Sequence, residues 1–214
     1  MIKIVGFGPG TREHITGEAV EALSSAGVVV AGKRILRAAV LMSSARMVEL
    51  PPTGMADAVL GVLERELPYG EVVLAVSGDP GFYSLAKKVI AHFGRDNVTV
   101  IPGISSIQLL AARIGRSWVN VASETLHGRE LPQRSALAGK LANSAALVIL
   151  LGPAQDAIAH IKWVAEDETL SGLWAAVGWD LGLPNEFVFE AESLADIVRC
   201  PYVGELAMLW LEKP

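Results

Sequence analysis

The sequence predicts an α/β protein made of two α/β domains with a ligand cleft between them. β-branched runs of strand length recur along its 214 residues, among them Ile2-Lys3-Ile4-Val5, Val72-Val73-Leu74-Ala75-Val76 and Ala146-Leu147-Val148-Ile149-Leu150-Leu151. Each runs into a glycine- or proline-bearing turn and then into an apolar pattern of helical period. A polar stretch from Gly115 to Gln133 separates two such groups. This predicts a first domain over 1–115 with a parallel sheet, a connection over 116–132, and a second domain over 133–214 with a mixed sheet.

The first strand ends in Gly6-Phe7-Gly8-Pro9-Gly10, followed by helical spacing through Ile15, Ala19, Ala22 and Leu23. The spacing is wrong for a dinucleotide fingerprint, and Pro9 lacks the N–H that a pyrophosphate would use. The next strand, Val28–Ala31, ends in Gly32-Lys33-Arg34 and not in an acidic ribose ligand. Gly27 to Arg34 matches phosphate-loop spacing except that Arg34 stands where Ser or Thr would hold magnesium. Its intervening residues form a strand and no cradle. A short helix over Arg34–Leu41 follows, then a longer one over Met55–Leu67, with Thr53 as a candidate cap and Ala56, Val59, Leu60, Leu63 and Leu67 on one face.

The central turn is Ser77-Gly78-Asp79-Pro80-Gly81-Phe82-Tyr83-Ser84, between the strand Val72–Val76 and a helix expected from Phe82 to Phe93. Small molecules bind at the carboxyl ends of strands in open α/β sheets. Asp79 is the one charge in this turn and suits hydroxyls or an amine better than phosphates; alternatively it caps the helix. A third turn, Pro102-Gly103-Ile104-Ser105-Ser106, follows the strand Val98–Ile101 and opens a helix over Ile107–Ile114. Three such turns within the first half predict a composite ligand site at the edge of one sheet. In the second half, helices are expected over Gln133–Leu141 and Ala154–Val164. Strands are expected over Ala146–Leu151, Leu173–Val177, Glu186–Glu190 and Glu205–Leu211, the last alternating as an antiparallel strand does.

A net charge of −5 and pI near 5.4 argue against nucleic acid as the main partner. The mean hydropathy is +0.41, yet no apolar run approaches the roughly 20 residues of a membrane span. A single cysteine, Cys200, rules out an internal disulfide framework and a cysteine metal cluster. With no signal-type N-terminus, a cytoplasmic location is expected. His14, His92, His127 and His160 lack ligand spacing, so no resident metal is expected.

In order and spacing, the three turns resemble those of the tetrapyrrole (corrin/porphyrin) methyltransferases, a class III methyltransferase fold. Gly6–Gly10 is similar to that family's first loop, Ser77–Pro80 to its Gly-Asp-Pro loop, and Pro102–Ser106 to its third motif. The run Ser77–Ser84, the Ser123-x-x-x-His127-Gly128-Arg129 pattern and Trp179-Asp180-Leu181-Gly182 with Pro184 and Glu186 most resemble the cobalt-precorrin-7 C-5 branch, although Trp179-Asp180 replaces an expected Glu-Asn pair. The resemblance implies a cofactor, S-adenosyl-L-methionine, held by Gly78, Asp79, Phe82, Ser105 and Ser106, with adenine meeting backbone at Leu151 and Leu181. It implies a corrin precursor as substrate, near Pro9 and Tyr83. Arginines among Arg12, Arg34, Arg113, Arg116 and Arg129 would hold its carboxylates, Arg129 first and Arg116 beside it. His127 is the candidate acid or base, or else it orders the connection. A homodimer is implied, and the chain ends before the decarboxylating domain of bifunctional relatives, so a separate decarboxylating methyltransferase is an expected pathway partner. Another corrin position as acceptor, a diphthine synthase-like protein methyltransferase and a noncatalytic tetrapyrrole carrier stay open as alternatives.

Overall fold

In a computed structural model, which describes residues 1–128 and 130–213, the chain divides by its contacts into two units, Met1–Ser105 and the remainder from Ser106. The first contains β1 (Ile2–Gly6), α1 (Gly17–Ser25), β2 (Val28–Ala31), α2 (Lys33–Ala39), β3 (Arg46–Glu49), α3 (Met55–Glu66), β4 (Val72–Val76), α4 (Ala86–Phe93) and β5 (Val98–Ile101). Its five strands lie in the order β3-β2-β4-β1-β5, and every pairing is parallel. The continuous apolar runs follow from burial on both faces. Val5, Phe7, Val29, Ala31, Val73 and Ala75 pack with Ala19, Leu23, Ile35 and Leu36 of α1 and α2. Ile2, Ile4, Val28, Val30, Val72 and Leu74 pack with Val59, Leu63, Ala86 and Val89 of α3 and α4.

Two local expectations for this unit change, and one strand is added. The helix expected from Phe82 begins at Ala86, because Pro80 to Leu85 close a loop of their own in which Ser84 Oγ donates to the Pro80 carbonyl and accepts from Ala86 N–H at 3.1 Å. Thr53 does not cap α3; Gly54 does, in a left-handed conformation with φ 68°. The added strand is β3, whose four residues include Arg46 and Glu49 and sit at the sheet edge, half exposed, without an apolar run to mark them. Arg46 also reaches the carboxylate of Glu66, which is buried at the end of α3.

The second unit contains α5 (Ser106–Arg113), β6 (Val121–Thr125), α6 (Arg134–Ala142), β7 (Ala146–Pro153), α7 (Ala154–Ala165), α8 (Glu168–Ser171), β8 (Trp174–Trp179), β9 (Phe187–Ala191), α9 (Leu194–Ile197) and β10 (Leu206–Glu212). The sheet order is β6-β7-β10-β8-β9, with β6 and β7 parallel and the remaining pairs antiparallel. This sheet is mixed, and it takes in more of the chain than residues 133–214. Val121–Thr125, assigned to the connection for its polarity, is a strand of this sheet, and the division of contacts falls at Ser105/Ser106. The polar residues of β6 suit its edge position. β10, expected as an antiparallel strand, pairs antiparallel with β7 and β8 and is central and buried over Ala207–Leu211. Among the described residues no helix is long and apolar enough to cross a membrane.

Candidate functional site

In the first unit the three turns meet, because β4, β1 and β5 are neighbours and end on the same side of the sheet. Phe7 N–H donates to the Val76 carbonyl at 2.8 Å, and Gly8 and Gly78 form an isolated bridge, with N–H to O distances of 3.2 and 2.8 Å in the two directions. Gly8 (φ 63°) and Gly78 (φ 68°) take left-handed backbone that this crossing requires. Gly6 and Gly103 touch backbone to backbone: a Cβ on Gly6 would stand 2.5 Å from Gly103 N.

Asp79 has a definite place in this arrangement. Its Oδ1 accepts from Gly81 N–H at 2.7 Å and its Oδ2 from Gly103 N–H at 3.0 Å, so one carboxylate folds its own turn and ties it to the next. It does not cap a helix, which corrects the alternative drawn from sequence. Ser105 is buried beside this crossing, where a Cβ on Gly78 would lie 3.7 Å from its Cα. Pro9 is half-buried in the first turn. Phe82 is half-buried and packs edge-on against Tyr83, with ring centroids 4.9 Å apart. Tyr83 is exposed and left-handed, with φ 47°, a conformation that costs about 1 to 3 kcal/mol for a residue of this kind. Ser106 is the first residue of α5, in the second unit. Asp79 is not the only charge at this edge, as the sequence suggested. Arg34 of α2 reaches it, with Nη1 donating to the Pro9 carbonyl and Nη2 to Ser77 Oγ at 2.8 Å.

In the second unit β6, β7 and β8 also end on one side. Leu151 is the extra residue of a bulge in β7: Leu150 faces Met208 and Gly152 faces Ala207. Its carbonyl accepts from His160 Nδ1–H at 2.9 Å, which fixes that tautomer. His127, exposed just past β6, lies against Gly152, so closely that a Cβ there would meet its ring. Leu181 follows β8 and is buried against Gly178.

Two arginines proposed from sequence to line the site have partners within the second unit. Arg116 stacks over Trp174 at 4.8 Å and pairs with Glu212 at 3.4 Å. Trp174 begins β8 and Glu212 ends β10, so Arg116 sits at the opposite end of the sheet from Leu151 and Leu181, and its expected substrate role is withdrawn. Arg113 donates through Nε to Glu186 Oε1 at 2.5 Å, a hydrogen bond that raises the guanidinium pKa further above its ordinary value against the lowering effect of burial. Glu186 also accepts from Gly182 N–H at 2.5 Å, which shapes the loop holding Leu181. Arg129 lies outside the described residues.

Sequence reasoning did not foresee Asp180. It is 1% exposed and left-handed at φ 49°, and its carboxylate accepts from Glu205 N–H at 3.0 Å, Leu206 N–H at 2.9 Å and Asn185 Nδ2 at 2.5 Å. The departure from the expected Glu-Asn pair is thus an internal brace under Leu181. Replacing Asp180 by Ala leaves buried donors unpaired in a conformation Ala resists, and should cost about 3 kcal/mol in urea unfolding. Asp180→Asn keeps the tolerance for φ above zero and should cost about half as much. An alanine variant within about 1 kcal/mol of the parent would refute the brace.

A family model described as Tetrapyrrole (Corrin/Porphyrin) Methylases matches residues 1–197, and the chain belongs to that family. Among curated relatives, it is 36% identical over 129 residues to a cobalt-precorrin-7 C(5)-methyltransferase of Salmonella typhimurium, covering 60% of this chain and 62% of the relative. It is 30% identical over 138 residues to a probable cobalt-precorrin-7 C(5)-methyltransferase of Methanocaldococcus jannaschii, covering 64% and 65%. The matched segment thus spans somewhat less than two thirds of these relatives. Among solved structures, a cobalamin biosynthesis precorrin-6Y methylase from Archaeoglobus fulgidus shares the fold at a TM-score of 0.73 and 23% identity, over 100% of this chain and 98% of that one.

Proposed function

We propose that this chain is an S-adenosylmethionine-dependent C-methyltransferase that methylates C-5 of cobalt-precorrin-7 or the corresponding precorrin in cobalamin biosynthesis. The observation that carries the reading is the three-turn edge of the first sheet, where bare glycine backbone surrounds one carboxylate whose two oxygens are already aimed by Gly81 and Gly103. The names of the curated relatives support the acceptor and its ring position. They favour the C-5 corrin reading over another ring position, a protein acceptor or a carrier without activity.

The residues fit the cofactor: glycines let its ribose and amino acid approach backbone, the Asp79 charge suits its cationic groups, and the three turns offer no phosphate cradle. When bound, S-adenosylmethionine supplies a methyl group already activated on a sulfonium. The chain has to orient and to exclude water, which accounts for the lack of a required nucleophile. Gly78, Asp79, Phe82, Ser105 and Ser106 would hold the cofactor, and the backbone at Leu151 and Leu181 its adenine. Pro9 and Tyr83 would face the acceptor, with Arg129 taking a carboxylate. His127 would receive the proton the macrocycle gives up. Two domains acting on a cytoplasmic substrate, a homodimer supported by exposed apolar side chains such as Leu41 and Val119, and a separate decarboxylating methyltransferase in the same pathway complete the reading.

Calorimetric titration with S-adenosylhomocysteine, followed by methyl transfer to cobalt-precorrin-7, tests it. Binding and a product one methyl heavier are expected, from a protein with twice the 22.7 kDa chain mass by light scattering. A folded protein that neither binds the thioether nor methylates the corrin would end the proposal.

A further inference from the structure

We infer that Arg34 is a positioning residue that locks the first glycine turn to the central one and so sets where the acceptor macrocycle rests, an inference that builds on the methyltransferase reading above. Arg34 comes from neither turn. It belongs to the Gly32-Lys33-Arg34 segment that imitates a phosphate loop in sequence and has no phosphate function in the fold. Gly32 precedes α2 in extended conformation (φ −70°, ψ 155°), and the helix then starts at Lys33. Because the strand order runs β2-β4-β1, a long side chain leaving the end of β2 must pass the end of β4 to reach that of β1. Arg34 spans this distance: Nη2 holds Ser77 Oγ, just after β4, and Nη1 holds the Pro9 carbonyl, beyond β1.

The partner at Pro9 matters because of what proline lacks. Pro9 has no N–H, so its carbonyl is the only backbone hydrogen-bonding group through which that residue can be fixed. Gly8 before it is pinned to Gly78 in both directions, and Gly10 after it takes φ 120°, a conformation open to glycine, so the Arg34 bond is a hold on the turn beyond that bridge. A charged planar fork bonding to two acceptors at once provides that hold in a way lysine's single nitrogen cannot match. Lys33 and Arg37 on the same helix are exposed, so basic residues in general do not do this job. The Gly8–Gly78 bridge and the Asp79–Gly103 bond do not involve Arg34, and they hold the proposed cofactor side without it. Loss of Arg34 should therefore be felt by the acceptor much more than by the cofactor.

The test compares Arg34→Met, Arg34→Lys, Ser77→Ala and the Arg34→Met/Ser77→Ala pair with the parent. Deuterium uptake by a peptide covering Phe7 to Arg12 should quicken about tenfold in Arg34→Met, the effect of losing one charge-assisted hydrogen bond. The KM for cobalt-precorrin-7 should rise about tenfold, while the Kd for S-adenosylhomocysteine stays within about threefold. Arg34→Lys should recover part of the KM, and Ser77→Ala should raise KM modestly in the parent but add nothing in Arg34→Met. Unchanged uptake would show that Arg34 does not hold the turn. A parallel loss of cofactor and acceptor affinity with a lowered melting temperature would show a merely structural role; either result overturns the inference. A parent that binds no thioether and transfers no methyl would instead remove the methyltransferase reading and the acceptor part of this inference with it, while uptake alone still decides whether Arg34 holds Pro9.

Discussion

Replacing Gly103 by alanine should cost about 3 kcal/mol or more and lower the melting temperature by roughly 6 to 12 °C, the largest stability effect expected of any single methyl in the first unit. The added Cβ would stand 2.5 Å from the Gly78 carbonyl oxygen and 2.7 Å from both the carbonyl carbon and oxygen of Gly6. All three are backbone atoms, those of Gly6 in the ladder of β1 and that of Gly78 in a turn pinned by the bridge to Gly8, so no rotamer change relieves the overlap. Backbone would have to move, and with it the Asp79–Gly103 hydrogen bond. Gly139 provides the comparison: it lies within α6, and nothing stands within 4 Å of the position its Cβ would take. Alanine there should be neutral or gain about 1 kcal/mol from helix propensity. Thermal unfolding of the two variants side by side measures the difference. A Gly103→Ala protein melting within about 2 °C of the parent would mean that the turns do not press on one another as described.

The same pair shows what sequence can and cannot say about this fold. Both glycines read alike as letters, and only the parallel order β4-β1-β5 brings Gly103 against Gly6 and Gly78. Strand identity was legible wherever a run is buried on both faces, as in β1, β2, β4 and β7, because continuous β-branched residues have few other uses. Legibility failed at two of the four edges, while β5 and β9, also at edges, were read from their apolar residues. β3 carries Arg46 and Glu49, and β6 carries Ser123 and Glu124, since an edge strand has a solvent side that polar residues fill. The connection was drawn through β6 for the same reason. β10 was read as an antiparallel strand and pairs antiparallel on both sides, with its middle buried between β7 and β8.

For the site, the three turns announced themselves through Gly, Pro and Asp, residues whose backbone behaviour is local and can be read one position at a time. The contacts that organise those turns are long-range and have no such signature. Arg34 reaches Ser77 across 43 positions, and Asp180 takes the N–H of Glu205 from 25 positions away. Arg116 looked as suitable as Arg34 by residue type and by nearness to a turn. The register of β8 with β10 put it at the far end of its sheet. Charge type gives the candidates, and topology selects among them.

Asp79 is where both kinds of information meet, and its removal should have the largest effect on binding. Asp79→Ala should weaken S-adenosylhomocysteine by about tenfold to a thousandfold, since it removes two charge-assisted hydrogen bonds, each worth about 1.5 to 3 kcal/mol at most, along with the only carboxylate of the central turn. The effect has two sources, which Asp79→Asn separates. An asparagine keeps the size of the side chain and one accepting oxygen, so it can satisfy Gly81 or Gly103 but presents an NH2 group to the other. If Asp79 acts mainly by tying the second turn to the third, the asparagine variant should lose nearly as much affinity as alanine, and the loss should persist in high salt. If its charge acts directly on a cationic ligand, the asparagine loss should be smaller for the neutral thioether than for S-adenosylmethionine itself, and salt should narrow the gap. The geometry favours the tie, because both oxygens already accept from backbone N–H groups. Titrations of the two variants with both ligands at low and high salt distinguish these cases, and undiminished binding by Asp79→Ala would remove Asp79 from the cofactor site altogether.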